Sequence, residues 1–169
     1  ETKLTNNVRP DGETTTGKAD KWCNKLGYNT SFSSARNTEK GGLSSGTAIL
    51  WRKDMAATTI EADWPHRLTL AMVKMPGFGD VIVGSCYGNV SHKEDTKKMI
   101  KHITGIIARI GKPFILGGGW NTEPSLMREW WIETRCPHIL CTPCKPTCHA
   151  GLGSKIIDYF IVHPKLAAV

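Results

Sequence analysis

Four cysteines lie close together near the end of this chain, and thiolates are a residue type that can hold a soft metal ion. Cys136, Cys141, Cys144 and Cys148 are separated by four, two and three residues, a spacing that a Zn²⁺ or Fe–S site can use. Free cysteines are also commonly just small buried residues, so both interpretations stay open. Nothing else in the sequence favours secretion, so we expect an intracellular protein without a disulfide framework.

A second set of polar side chains is spread along the whole chain. Carboxylates are ligands that Mg²⁺ prefers, whereas amides and phenols can hydrogen-bond to phosphate oxygens. A family resemblance, given below with its motifs, selects the candidates among such side chains: Glu1, Tyr87, Asn89, Asn121 and Asp158. Three of these residues also have an ordinary structural interpretation. Asn121 could be a turn residue, Tyr87 a half-buried strand aromatic, and Asp158 a carboxylate that caps a turn.

The composition limits the class of protein. The 169 residues, 40% of them hydrophobic, suit one packed domain over residues 1–169. The longest apolar runs are far shorter than the roughly 20 residues of a membrane span. A formal charge of +7 suits a polyanionic partner such as nucleic acid, although a merely soluble basic surface would look the same.

Apolar periodicity predicts the elements that must position these residues. Ser91 and Glu94 resemble a capping box for a long helix that ends before Gly111. A short helix is expected over 19–26 and another over 124–133, whereas residues 1–18 read as a loop. Strands are predicted at 47–52, 67–73, 80–87, 113–117 and 156–162. This order predicts a layered α/β fold with mixed sheets.

Several segments, taken in order, resemble the endonuclease/exonuclease/phosphatase superfamily, with a look closest to retroelement endonuclease domains. Glu1-Thr2-Lys3 is similar to the family's Gln-Glu-Thr-Lys stretch, residues 115–124 to its strand-Gly-Asp-x-Asn motif, and residues 153–162 to its Ser-x-Ile-Asp-Tyr strand. Residues 42–52 and 85–89 add weaker matches. The resemblance implies a DNase I-like sandwich of mixed, largely antiparallel sheets flanked by helices.

The resemblance also implies roles for the candidate residues. Glu1 would bind Mg²⁺, and Tyr87, Asn121 and Asp158 would form the catalytic site. Asn121 would also hold a phosphate oxygen, together with Asn89. The substrate would be a phosphodiester, which such a metal site hydrolyses with an activated water.

The chain departs from the family pattern at the residue that would activate the attacking water. Gly119 stands where the family has the Asp of Gly-Asp-x-Asn, and the family's first strand and terminal Ser-Asp-His motif have no counterpart. We therefore expect an incomplete, catalytically inactive endonuclease-like domain that retains nucleic-acid or phosphate binding. The alternative is a non-catalytic accessory or structural subunit of a larger protein assembly.

Overall fold

The computed structural model describes residues 1–38, 41–150 and 153–167. The helices are α1 (Thr15–Lys25), α2 (Lys93–Ile110) and α3 (Pro124–Glu133), followed late in the chain by a 3-10 turn at Pro164–Leu166. The strands are β1 (Tyr28–Ser33), β2 (Arg36–Asn37), β3 (Leu43–Ser44), β4 (Thr47–Arg52), β5 (Ala57–Ile60), β6 (Leu68–Met75), β7 (Gly79–Tyr87), β8 (Phe114–Gly119), β9 (Ile139–Cys141), β10 (Cys148–Ala150), β11 (Gly153–Lys155) and β12 (Asp158–Val162).

The longest strands form one mixed sheet. In the part of the chain that the structure describes, this sheet has six strands in the order β5-β6-β7-β8-β12-β9. Neighbours are antiparallel except β7 and β8, which are parallel. A parallel pair needs a crossover connection, and α2 supplies it. The predicted layered α/β fold with mixed, largely antiparallel sheets is confirmed.

Both faces of the sheet carry apolar residues, so it has a layer on each side. On one face α2 and α3 cover a core that includes Ile82, Leu116 and Tyr159. On the other, the two-stranded sheet β1-β4 packs on β6 through Ile49 and Val73. Successive side chains of a strand point to opposite faces of the sheet, so apolar strands bury residues on both sides.

The adjacent tryptophans Trp130 and Trp131 both lie in the helix-side core, with exposures of 6% and 0%. Both belong to the core that α2 and α3 form with the main sheet.

The long helix was predicted in the right place but with the wrong start. The Ser91–Glu94 capping box is not formed, because α2 begins at Lys93 and no side chain caps it from His92. Instead Asn89 Oδ1 accepts hydrogen bonds from the Ser91 and His92 backbone N–H groups at 3.1 and 3.2 Å. An asparagine oxygen competes well for such free N–H groups at a helix start.

Two other predicted boundaries also shift. Helix α1 begins at Thr15 rather than at residue 19, because the Thr14 hydroxyl accepts from the Gly17 N–H and starts the helix early. The last strand begins at Asp158 rather than at residue 156, since the Thr147 hydroxyl takes the Ile157 N–H that a longer strand would use. Within the described residues, no helix is long and apolar enough to cross a membrane.

Candidate functional site

Three neighbouring strands of the main sheet end at the same edge. Tyr87 of β7 pairs with Gly119 of β8, and Gly119 pairs with Asp158 of β12. The register therefore places Tyr87 and Asp158 on either side of Gly119. A Cβ atom built on Gly119 would lie 3.0 Å from Asp158 Oδ1 and 3.6 Å from Tyr87 Cδ2, so position 119 faces into the space between them.

The backbone at this edge is closely packed. A Cβ on Gly88 would overlap the Trp120 carbonyl oxygen, and a Cβ on Gly118 would overlap the Cys86 carbonyl oxygen. Glycine at both positions lets β7 and β8 approach, and the Gly88 N–H donates to the Gly119 carbonyl at 2.9 Å.

Asn121 is held over this junction in a left-handed backbone conformation. Its φ is +51°, a region that asparagine tolerates better than most residues. Its Nδ2 donates to the Gly88 carbonyl at 2.9 Å. The Tyr159 hydroxyl donates to the Thr122 carbonyl at 2.9 Å, which fixes the next residue of the loop. Asn121 is therefore positioned from both sides.

Glu1 reaches the same edge from the start of the chain. Its Oε1 accepts the Ser45 N–H at 2.6 Å and lies 2.7 Å from Lys3 Nζ. Burial acts to raise the pKa of Glu1, but interactions with Lys3, Ser45 and Tyr87 outweigh it, so the pKa lies below its ordinary value. Glu1 is thus ionised wherever the protein is near neutral pH.

Tyr87 lies between charged groups of opposite sign. Burial and the Glu1 carboxylate raise the pKa of its phenol, while Asn121 and Arg67 act against them. The Arg67 guanidinium lies 5.4 Å from the centre of the Tyr87 ring, in a cation–π arrangement, and its Nη1 donates to the Gly88 carbonyl at 3.1 Å. Tyr87 therefore carries its proton and can donate a hydrogen bond.

The structure brings four of the five candidates together and places the fifth elsewhere. Tyr87 and Asp158 flank Gly119, and the side chains of Glu1 and Asn121 lie beside the Tyr87 phenol. Asn89 instead stabilises the start of α2, where its Nδ2 donates to Asp95 Oδ2 at 3.0 Å and its Oδ1 takes backbone N–H groups. These bonds account for Asn89 without a phosphate.

Comparison with known proteins identifies the architecture. No protein-family model and no curated protein sequence matches the chain, but solved structures do. The endonuclease domain of TRAS1, a telomere-specific non-LTR retrotransposon, matches at TM-score 0.61 and 12% identity, over 84% of this chain and 69% of that one. An endonuclease/exonuclease/phosphatase protein from Beutenbergia cavernae matches at TM-score 0.57 and 18% sequence identity. The match covers 90% of this chain and 51% of that one. The fold is the endonuclease/exonuclease/phosphatase fold.

The likeness concerns the fold and part of its length. The Haemophilus ducreyi cytolethal distending toxin also matches, at TM-score 0.53 and 16% identity over 76% of this chain. This chain spans only 52% of that toxin chain. At such identities an endonuclease/exonuclease/phosphatase fold is established, and activity and substrate must be argued from the residues of this chain.

Positive side chains flank the strand-end site of this fold, and sequence reasoning missed them. The pKa of Arg67 is lowered by burial and by nearby Arg36, and the two line a cleft of about 530 Å³. On the other side, Lys155 lies 3.2 Å from Glu123, just after Asn121, and burial and Lys155 lower the pKa of Lys93. A lone basic residue before an apolar strand gives no sequence signal of such proximity.

The donor set for a metal ion is poor at this site. Glu1 and Asp158 are its carboxylates, and the first already binds the Lys3 ammonium. Among residues 1–38, 41–150 and 153–167, no three His, Cys, Asp or Glu side chains gather as metal ligands. Mg²⁺ is often held by one or two carboxylates together with water and substrate phosphates, so Glu1 and Asp158 are the residues that would hold it here.

The same finding applies to the cysteine cluster. Cys141 and Cys144 are exposed, Cys136 and Cys148 are half-buried, and all four are free thiols. Among the described residues, no three of these or other His, Cys, Asp and Glu side chains gather as metal ligands, and Cys141 and Cys148 belong to different sheets. The hypothesis of a Zn²⁺ or Fe–S site finds no support in this arrangement.

Proposed function

We propose that this domain binds the phosphate groups of nucleic acid at the Tyr87–Asn121–Asp158 edge and hydrolyses them poorly or not at all. The observation that carries the proposal is the pairing of Tyr87, Gly119 and Asp158 across three strand ends. This pairing brings polar groups that can hold a phosphate to the two sides of Gly119, which has no side chain.

The binding half of the proposal rests on donors and charge. Tyr87 is a neutral hydroxyl donor, Asn121 is rigidly held, and Arg67 stacks on the tyrosine ring. A guanidinium suits phosphate oxygens. The flanking Arg36 extends the positive surface beyond one phosphate, which favours a polyanion over a small phosphate ester.

The hydrolytic half rests on Gly119. Attack on a phosphodiester needs a water that has lost a proton, and general bases contribute roughly 10²–10⁴-fold in rate. Gly119 offers no acceptor at the point where its side chain would face Asp158. Asp158 is the remaining carboxylate beside that point, so any residual hydrolysis should depend on it.

Binding can be tested with a fluorescein-labelled DNA oligonucleotide in an anisotropy titration without metal. Arg67→Gln should weaken binding by about tenfold, since a charge-assisted contact is worth roughly 1.5–3 kcal/mol, and Tyr87→Phe should weaken it less. Lys74→Gln is the matched control, because Lys74 is exposed and pairs in register with Asp80, toward the far end of β6 and β7. An equal loss of DNA affinity in Arg67→Gln and Lys74→Gln would mean that binding depends only on the overall charge of the protein.

One observation favours the alternative of a non-catalytic accessory subunit. Phe160 of β12 and Ile139 of β9 are 55% and 40% exposed, on neighbouring strands of the main sheet. Exposed apolar residues that lie together often mark a protein interface. If this is the main role, Phe160→Ser should abolish subunit association measured by light scattering, while DNA binding in the anisotropy assay stays unchanged.

A further inference from the structure

A second cleft lies at the opposite end of the main sheet from Gly119. It has a volume of about 620 Å³, and its wall includes Lys112 and Pro113, just before β8, and His163, just after β12. Strands β8 and β12 are antiparallel, so the start of one and the end of the other meet at this edge. The cleft is therefore separated from the Tyr87–Asp158 site by the length of β8.

Four cations line this cleft, each from a different part of the chain. They come from α2, the α2–β8 turn, the segment after α3 and the 3-10 turn, and they are Lys101, Lys112, Arg135 and Lys165. Of these, Lys112 lies 3.6 Å from Asp80. The other three make no ion pair with any residue in the described ranges.

The carboxylate that lines the cleft is already neutralised. Glu133 lies 2.7 Å from Lys97 Nζ, and this contact is the largest cause of its lowered pKa. The cleft therefore has an excess of positive charge. Like charges brought together in one concave site repel one another and raise the local concentration of an anion.

Arg135 stands at a position where its own residue type is unfavourable. It follows the last turn of α3 with φ +57°, and its N–H donates to the Ile132 carbonyl. Glycine is the usual residue at this left-handed position after a helix. The strained arginine directs a guanidinium to the cleft wall that glycine would leave empty.

The remaining wall offers a neutral donor and an apolar surface. Burial and Lys165 lower the pKa of His163, and its Nδ1 accepts the Lys165 N–H at 3.2 Å. Nε2 therefore holds the proton of the neutral ring and is a hydrogen-bond donor. Ile107, Ala108 and Pro137 supply apolar wall, and the volume is within the roughly 300–1,000 Å³ of small-molecule pockets.

We propose that this cleft binds a small phosphorylated ligand of nucleotide size, independently of the strand-end site. Arg135, Lys101 and Lys165 would bind the phosphates, and the apolar wall would contact the organic part. A second site of this kind would let the domain respond to a free nucleotide while the strand-end site binds nucleic acid.

The test is isothermal titration of the purified protein with ATP, AMP and pyrophosphate in the absence of divalent metal. Saturable binding is expected, with ATP tighter than either of the other probes. Arg135→Gly should weaken ATP binding by about tenfold and should fold at least as well, because glycine suits the left-handed backbone. Lys165→Gln should weaken binding similarly, whereas Lys25→Gln, in the last turn of α1, should leave it unchanged.

The strand-end site provides the discriminating control. Asn121→Ala should leave ATP binding unchanged, because it lies at the other end of the sheet. The proposal is overturned if none of the three probes binds saturably, if Arg135→Gly binds ATP as tightly as the wild type, or if Asn121→Ala removes the binding. Equal affinity for pyrophosphate and ATP would also overturn it, because the apolar wall would then contribute nothing.

Discussion

Gly119 lies where the three strand ends of the site meet, and its missing side chain sets the chemistry there. Tyr87 and Asp158 flank it in register, and a Cβ at this position would lie 3.0 Å from Asp158 Oδ1. A phenol and an amide can hold a phosphate, but neither readily takes a proton from water near neutral pH. At the residue scale, binding and hydrolysis are therefore separable.

Gly119→Asp should create a cation site without restoring activity. Two carboxylates this close repel unless one is protonated or a cation lies between them. Without metal, the variant should unfold at a lower temperature than the wild type, because its free energy of unfolding is lower by about 1–3 kcal/mol. Adding Mn²⁺ should restore the unfolding temperature. Thermal unfolding with and without Mn²⁺ measures this, with Gly119→Asn as the uncharged control. A Mn²⁺ effect of equal size in both variants would contradict the prediction.

Glu1 should contribute to stability at neutral pH and not in acid. Its pKa is lowered in the folded protein, so the stabilisation is present above the unfolded-state pKa and is lost as pH falls through the folded one. Urea unfolding of wild type and Glu1→Gln should thus differ near neutral pH and converge as the pH falls below the folded-state pKa of Glu1. A difference that grows on acidification would show that the carboxylate is not stabilised.

At the element scale, α2 is placed by the loop before it rather than by its own first residues. Asn89 binds two backbone N–H groups and Asp95, and its own N–H donates to Thr96 Oγ1 at 2.7 Å. Because Asn89 follows Tyr87 closely along the chain, the same loop fixes both the end of β7 and the start of the helix.

The difference between Asn89 and Ser91 gives a direct test of this arrangement. Asn89→Ala should lower the free energy of unfolding by about 1 kcal/mol, the usual value of a helix cap, whereas Ser91→Ala should change it by less than about 0.5 kcal/mol. Urea unfolding of the two variants measures both values. The reverse order would restore the capping-box interpretation.

The close approach of β7 and β8 gives a second test at this scale. A Cβ on Gly118 would overlap the Cys86 carbonyl, so Gly118→Ala should destabilise the protein by about 3 kcal/mol or more. Gly105 is the matched control, since it lies in α2 with nothing within 4 Å of its added Cβ. Gly105→Ala should stabilise by about 0.5–1 kcal/mol. Similar effects of both variants on chemical denaturation would contradict the packing at Gly118.

At the scale of the whole molecule, positive charge lies at both ends of the main sheet. Arg36, Arg67 and Lys155 flank the strand-end site, and Arg135 and Lys165 line the cleft at the opposite end. Part of the positive charge behind the net value of +7 therefore lies at two separate places, which sequence composition could not distinguish.

This chain should bind nucleic acid without cutting it. Plasmid nicking with Mg²⁺ or Mn²⁺ should not exceed the EDTA control, because no side chain at position 119 accepts a proton and groups that act as a unit fail together. Gly119→Asp alone should restore little. Metal-dependent nicking that Asp158→Ala abolishes would show that Asp158 serves as the base and that the protein is an active nuclease.

The sequence alone determined the fold class and the longer elements, whereas short strands such as β1, β5 and β9 were not predicted. The bounds of β4 and α3 agree with the residues predicted, and the helix over Met99, Ile103 and Ile107 lies where its apolar period placed it. These features are local: an alternating or 3.6-residue pattern selects strand or helix whatever the rest of the chain does. The ordered set of motifs also led to the correct fold.

Tertiary structure decided what these elements bring together. Tyr87, Gly119 and Asp158 are far apart in the chain and meet only because β7, β8 and β12 pair in this register, whereas the closely spaced Cys141 and Cys148 end in different sheets. No local sequence pattern predicts that Arg67 lies close to Tyr87, or that several cations converge at the opposite end of the sheet. Pairing register and side-chain direction depend on contacts between distant residues, so only the folded chain fixes them.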